Sequence, residues 1–263
     1  MFEYEFMRNA FVACTIVGIV AGAVGYFLVL RGETFAGHAL AHVGFPGATG
    51  AALIGFSPFF GLTVFTVLAG IGIGLLGERA HRDVAIGIVL TLSLGIGLLF
   101  LHFYTAYAGA VTSLLFGNVL GVSQVTVWIL AGLGLACLVG LAVIGRPLTF
   151  ASLQPELAEA KGVRLELISA LFMVIVAVTT AEAMQIVGVL LVFALMVAPA
   201  AAAMHLTQRV YQGVALSVAI AVMTAWISLT LAFYTDWPTS FWITALGSLV
   251  YLAATRVRTR RVR

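Results

Sequence analysis

Charge is what this sequence has least of. Asp, Glu, Lys and Arg make up 9% of its 263 residues, where a soluble domain carries about 25%. Ten acidic and thirteen basic side chains cannot cover a protein of this size in water. That scarcity excludes a soluble enzyme, a secreted disulfide scaffold and a nucleic-acid-binding domain. Cysteine is nearly absent as well. Cys14 and Cys137 lie in separate apolar runs without C-x-x-C spacing, so they support neither a disulfide framework nor a metal site. No G-x-x-x-x-G-K-[ST] occurs, so ATP is not bound here through a P-loop, and no H-E-x-x-H occurs either. No Ser or Cys stands next to a credible base. The sequence therefore offers no support for enzymatic activity and implies no cofactor of its own.

What is present is apolar: 62% of the chain is hydrophobic, in long uninterrupted runs. A span of the bilayer needs about 20 such residues, and the few charges mark where spans end. Residues 9–30 form one span, closed by Arg31 and Glu33. Residues 34–77 carry no charge and hold two, broken near Pro58. Residues 77–83 form a polar loop. A span then runs to about His102, an irregular Gly- and Tyr-containing stretch to Ser123, and a further span to Gly145. The irregular stretch has room for a re-entrant or interfacial helix. The polar segment 146–164 follows, then spans over 165–181, 183–204, 211–234 and 241–255. The expected fold is all-α, a polytopic helical membrane bundle of about 8–9 transmembrane helices, forming one domain over 1–263. The first apolar run is too long for the core of a cleavable signal.

The distribution of Lys and Arg orients the bundle. With nine spans and the C-terminus inside, twelve of the thirteen basic residues fall on the cytoplasmic side and only Arg8 falls outside. Five of them crowd the tail at 256–263, where they suit anionic lipid head groups. The expected location is the plasma (inner) membrane, with a cytoplasmic C-terminus and, for nine spans, an outer N-terminus.

Glycines at small-x-x-x-small spacing (Gly18 with Gly22, Gly117 with Gly121) let helices approach closely in lipid. Packing within the bundle is the expected use, a subunit interface the alternative. In a membrane, an ionisable side chain within a span is a functional candidate. No Asp, Glu, Lys or Arg lies in the middle of any span drawn above, because Glu182 and Asp236 fall in outer turns. A proton-coupled secondary transporter is disfavoured on that ground. The histidines remain. His38 and His42 share one helical face. Pro46, one turn on, cannot donate to the carbonyl of His42, which frees that carbonyl as an acceptor. Two neutral imidazoles beside it suit a borderline metal such as zinc; the alternative is a hydrogen bond from each imidazole to a neighbouring helix. His102 sits at an outer span end beside aromatics, and His81 and His205 fall in cytoplasmic loops.

The segment 146–164 contains a short punctuated helix. Pro155 suits its first position, Glu156 and Glu159 complement the helix dipole, and Gly162 closes it. It is either an ordinary connector or a docking surface for a cytoplasmic partner.

Taken together, several stretches resemble the permeases of ABC-type zinc and manganese importers. They are Phe27–Arg31 (FLVLR), Phe35–Gly47 (FAGHALAHVGFPG), Leu115–Ser123 (LFGNVLGVS), Pro155–Val163 (PELAEAKGV) and Val187–Ala203 (VGVLLVFALMVAPAAAA). The resemblance implies a transmembrane subunit of an ATP-driven divalent-metal importer, similar in helical architecture to the vitamin B12 permeases. It implies a second permease copy, a cytoplasmic ABC ATPase that binds the ATP, and an extracytoplasmic metal-binding protein. It also implies that His38 and His42 meet the metal, and that the helix over Pro155, Glu156, Ala160 and Gly162 contacts the ATPase. Two departures stand out. Many members carry Asp where this chain has His38, and Phe-Asp where it has Leu153-Gln154. Zinc, manganese and iron all stay open as cargo, with the imidazole pair tilting toward zinc. The rival readings are an ATP-independent channel or secondary transporter, and an importer of a metal chelate or siderophore.

Overall fold

The computed structural model describes residues 3–75, 82–103, 117, 119–188 and 192–262. Ten α-helices occur among them: α1 (Glu5–Leu30), α2 (Thr34–Leu53), α3 (Pro58–Leu75), α4 (Arg82–Phe103), α5 (Gln124–Leu153), α6 (Pro155–Ala160), α7 (Leu165–Val187), α8 (Val192–Leu206), α9 (Val210–Thr235) and α10 (Thr239–Val262). A single 3-10 turn, Val119–Gly121, precedes α5. All of α1, α3, α4, α5, α7, α9 and α10 are long and apolar enough to cross a membrane. α8 is apolar but only 15 residues long. α2 is diluted by two histidines, a proline and several glycines and falls short on hydropathy. The polar loop expected at 77–83 and the irregular stretch before Ser123 lie mostly outside the described residues, as does His81.

α2 can dispense with the hydropathy of a lipid-facing span because it is the most enclosed. Thirteen of its twenty residues are buried, whereas only 17% of the best apolar window of α4 is. A helix that meets protein on most sides has no need of a lipid-compatible surface. α3, α4, α7 and α8 all pack on it. Close approach requires glycine at the α2–α3 crossing, where a Cβ on Gly47 would collide with the carbonyl oxygen of Gly61. α1 is the second pillar, packed against α9, α8, α5 and α7. Gly18 and Gly22 face Val222 and Val218 of α9, and Ser217 Oγ donates to the carbonyl of Gly22 at 2.7 Å. The Gly18–Gly22 pair therefore serves packing within the chain. Gly117 and Gly121 are not a helical pair: Gly117 has φ 78° and Gly121 ends the 3-10 turn.

Two boundaries differ from the sequence reading. α5 continues through Arg146 and Pro147 to Leu153, so the first eight residues of the segment 146–164 are helical. More consequentially, α7 does not stop at Ala181. It runs through Glu182 to Val187 and ends at Gly188, whose φ of 82° suits glycine. Glu182 is thus inside a helix, not in an outer turn. Charge is a poor stop signal where its flanks (Ala-Glu-Ala-Met-Gln) are all good helix formers. Asp236 does lie in a turn, ending α9 at φ 58°.

Candidate functional site

α2 starts from a tight turn. Gly32 takes φ 68°, which brings Glu33 back to Arg31. The arginine meets the carboxylate twice, Nε to Oε2 at 2.9 Å and Nη2 to Oε1 at 3.1 Å. It also donates to Ser169 Oγ of α7 at 3.3 Å and lies 5.6 Å from the ring centroid of Phe172. The end of α1, the start of α2 and the first half of α7 are tied together at this point.

One turn further along α2 the histidines come together. The rings of His38 and His42 are 4.8 Å apart and meet edge to face at 76°. Both are half-buried. His38 also touches Phe193 of α8, 5.3 Å between centroids. The opposite face of α2 is taken up by packing: Gly44 meets Met184 of α7 and Thr66 of α3, and Gly47 meets α3. The imidazoles therefore point away from α3 and α7. Pro46 is accommodated inside a continuous helix, and the Thr49 hydroxyl returns hydrogen bonds to the carbonyls of Phe45 and Pro46. No group of three or more His, Cys, Asp or Glu able to hold a metal occurs among the described residues. The two imidazoles of one chain make half of a coordination shell at most.

The other sequence candidates separate cleanly. His102 is exposed at the end of α4, its ring 5.5 Å from Phe103. His205 is not in a loop but in the last turn of α8, half-buried, with its ring 5.6 Å from Tyr251. α6 is the short helix expected, with Pro155 at its start and Glu156 in its first turn. Gly162, at φ 85°, lets Val163 N–H reach back to the carbonyl of Ala158 at 3.0 Å. Ala158 is buried, while Glu156, Leu157, Glu159 and Ala160 form an exposed edge at the same end of the bundle as the Arg31 turn. Sequence reasoning missed Phe193 as the neighbour of His38, although it lies in the apolar motif 187–203. It also missed Glu182 as a buried acid, for which Gly188 was the available signal.

The fold is a polytopic helical bundle whose most enclosed helix carries a pair of imidazoles. Residues 3–258 match the model of the ABC 3 transport family, and the chain belongs to that family. It is the non-catalytic membrane subunit of an ABC system. It is 33% identical over 227 residues to the manganese transport system membrane protein MntC of Halalkalibacterium halodurans, covering 86% of this chain and 78% of the relative. It is 32% identical to the manganese import system permease protein ScaB of Streptococcus parasanguinis, covering 88% and 83%. A chain of PsaBC from Streptococcus pneumoniae in complex with Fab superposes with a TM-score of 0.86 at 28% identity, covering 95% and 91%. A chain described as a metal-chelate type ABC transporter in an inward-facing conformation shares the fold, with a TM-score of 0.70 at 18% identity, covering 93% and 84%.

Proposed function

We propose that this permease carries a divalent transition metal into the cytoplasm, driven by ATP hydrolysis in a partner subunit. The observation that carries the reading is the His38–His42 pair, 4.8 Å apart on the face of α2 turned away from α3 and α7. Neutral imidazoles coordinate first-row metals without the cost of burying carboxylate charge. Two copies facing each other across a path along α2 would present four imidazoles, enough for a transient tetrahedral shell. Transport requires a site weak enough to release its ion, so half a shell per chain is the appropriate design.

Manganese is the first candidate cargo, because relatives that span nearly the whole chain are named for it. Zinc is the second reading, favoured by the imidazole pair itself, since manganese prefers oxygen ligands. The exposed edge of α6, with Pro155, Glu156, Ala160 and Gly162, is the contact for a cytoplasmic ATPase. It stands at the end of the bundle where basic residues concentrate, which the positive-inside rule makes cytoplasmic. The C-terminus then lies inside, and an extracytoplasmic metal-binding protein delivers the ion. The deciding experiment is ATPase activity of the reconstituted complex with its binding protein, across Mn²⁺, Zn²⁺ and Fe²⁺. Stimulation by one of these metals is expected, and indifference to all three rules out the proposal.

A further inference from the structure

Two carboxylates among the described residues are buried, and the structure treats them in opposite ways. Glu33 has Arg31. Glu182 is fully buried, and neither Oε1 nor Oε2 has a hydrogen-bond partner. Its neighbours set its depth. A Cβ built on Gly134 of α5 would lie 3.6 Å from Glu182 Oε2, 3.0 Å from Val20 and 3.2 Å from Ile16. Ile16 and Val20 straddle the midpoint of the 26-residue α1. The carboxyl is therefore about 19 Å from either end of that helix at about 1.5 Å per residue.

The surroundings offer it no counter-charge. α1 presents Ile16 and Val20, and α5 presents Gly134 and the thiol of Cys137. Thr179, one turn earlier on α7, faces the same thiol. α3 meets α7 through Gly70 and Gly74, against Met173, Ala177 and Ala170. α2 carries His38 and His42 but meets α7 where Met184 touches Gly44. Met184 leaves the helix about 200° around from Glu182. α8 meets α7 at Thr180 and Met196, and the 3-10 turn brings up apolar Val119. Among the described residues, then, Cys137 is the one titratable group facing the acid, and no Lys, Arg or His does. An ionised carboxylate here would bear a desolvation cost of several kcal/mol with nothing to offset it. A metal ion would need further ligands that the described residues do not supply. A proton needs neither room nor ligands.

We propose that Glu182 is a proton-binding site. Its carboxyl is held as the neutral acid while the seam between α1, α5 and α7 is closed. When that seam parts, the O–H bond breaks, the proton passes to water and a hydrated carboxylate remains. The closed seam holds one more proton than the open one, so raising the pH favours opening, by up to about tenfold per pH unit for one linked proton. Any step of transport that parts the seam becomes favoured at alkaline pH; this last consequence alone rests on the import reading.

The test uses the permease–ATPase complex in lipid nanodiscs and requires neither metal nor transport, so it stands or falls apart from the proposed cargo. Infrared spectra at pH 7.5 are expected to show a protonated-carboxyl C=O band that Glu182→Gln and Glu182→Ala both remove. Hydrogen exchange of the α7 amides around 175–187 is compared between the unaltered protein and Glu182→Gln at pH 6.5, 7.5 and 8.5. The ratio of the two cancels intrinsic base catalysis, and it is expected to climb with pH by up to about tenfold per unit. A spectrum in which neither variant removes a band, or a ratio that stays flat with pH, overturns the proposal.

Discussion

Arg31 and Glu33 grip each other in a bidentate pair across the glycine turn that joins α1 to α2, at 2.9 and 3.1 Å. Their side chains are only 13% and 8% exposed. Removing the arginine takes the bidentate counter-charge from the Glu33 carboxylate and cuts the tie to Ser169 of α7. We expect Arg31→Ala to destabilise the permease by about 2–4 kcal/mol, below the about 3–5 kcal/mol of a fully buried broken pair because this one is not fully enclosed. Arg31→Ala with Glu33→Gln should recover part of that loss. Thermal unfolding of the complex measures both; a double variant no more stable than the single would show that the loss of counter-charge at Glu33 is not the cause.

The α2–α3 crossing admits no side chain at Gly47, where backbone meets backbone at Gly61. Gly47→Ala has to push α3 away over a long stretch of contact. The predicted penalty is about 1–3 kcal/mol, the usual cost of overpacking, visible as a lower melting temperature. By contrast Gly72, which has open space around its Cβ position, should accept alanine without loss. Equal melting temperatures for the two variants would refute this account of the crossing.

The histidine pair predicts a split between stability and transport. His38 and His42 are half-buried, with ring contacts to each other and from His38 to Phe193. His38→Ala with His42→Ala should therefore leave expression and melting nearly unchanged. Metal uptake in cells lacking other importers should fall at least about tenfold, the effect of losing a little over 1.4 kcal/mol of transient coordination. Uptake at the unaltered rate would remove the pair from the path.

On α6, Leu157 is 47% exposed beside Glu156 and Ala160, while Ala158 anchors the helix from beneath. An apolar side chain displayed on a polar edge suits a partner's pocket better than water. Leu157→Asp should leave the permease folded and abolish co-purification of the ATPase. Retained co-purification with retained metal-stimulated hydrolysis would place the contact elsewhere.

Much of this was legible in the sequence, because a lipid solvent makes charge an almost binary signal. Arg31 and Glu33 closed the first span where the structure closes it, Pro155 and Gly162 bracketed a helix that exists, and the spacing of His38 and His42 placed two imidazoles on one face. The same signal misled at Glu182. There a charge within a span suggests water, although alanine-rich flanks keep the helix going and the stop is Gly188, six residues later. At Arg146 it drew a loop where α5 continues through Pro147 to Leu153.

Scarce charge thus determined the solvent, the approximate number of helices and the candidate pair, because each follows from local composition and helical periodicity. Which face of α2 turns away from α3 and α7, that Phe193 of α8 meets His38, and that a carboxylate lies beside the middle of α1 were decided only by tertiary packing. These depend on how closely neighbouring helices approach at Gly44, Gly47 and Gly134 and on where α7 turns against α5. Such distances arise between segments far apart in the chain, and no local pattern of residues encodes them.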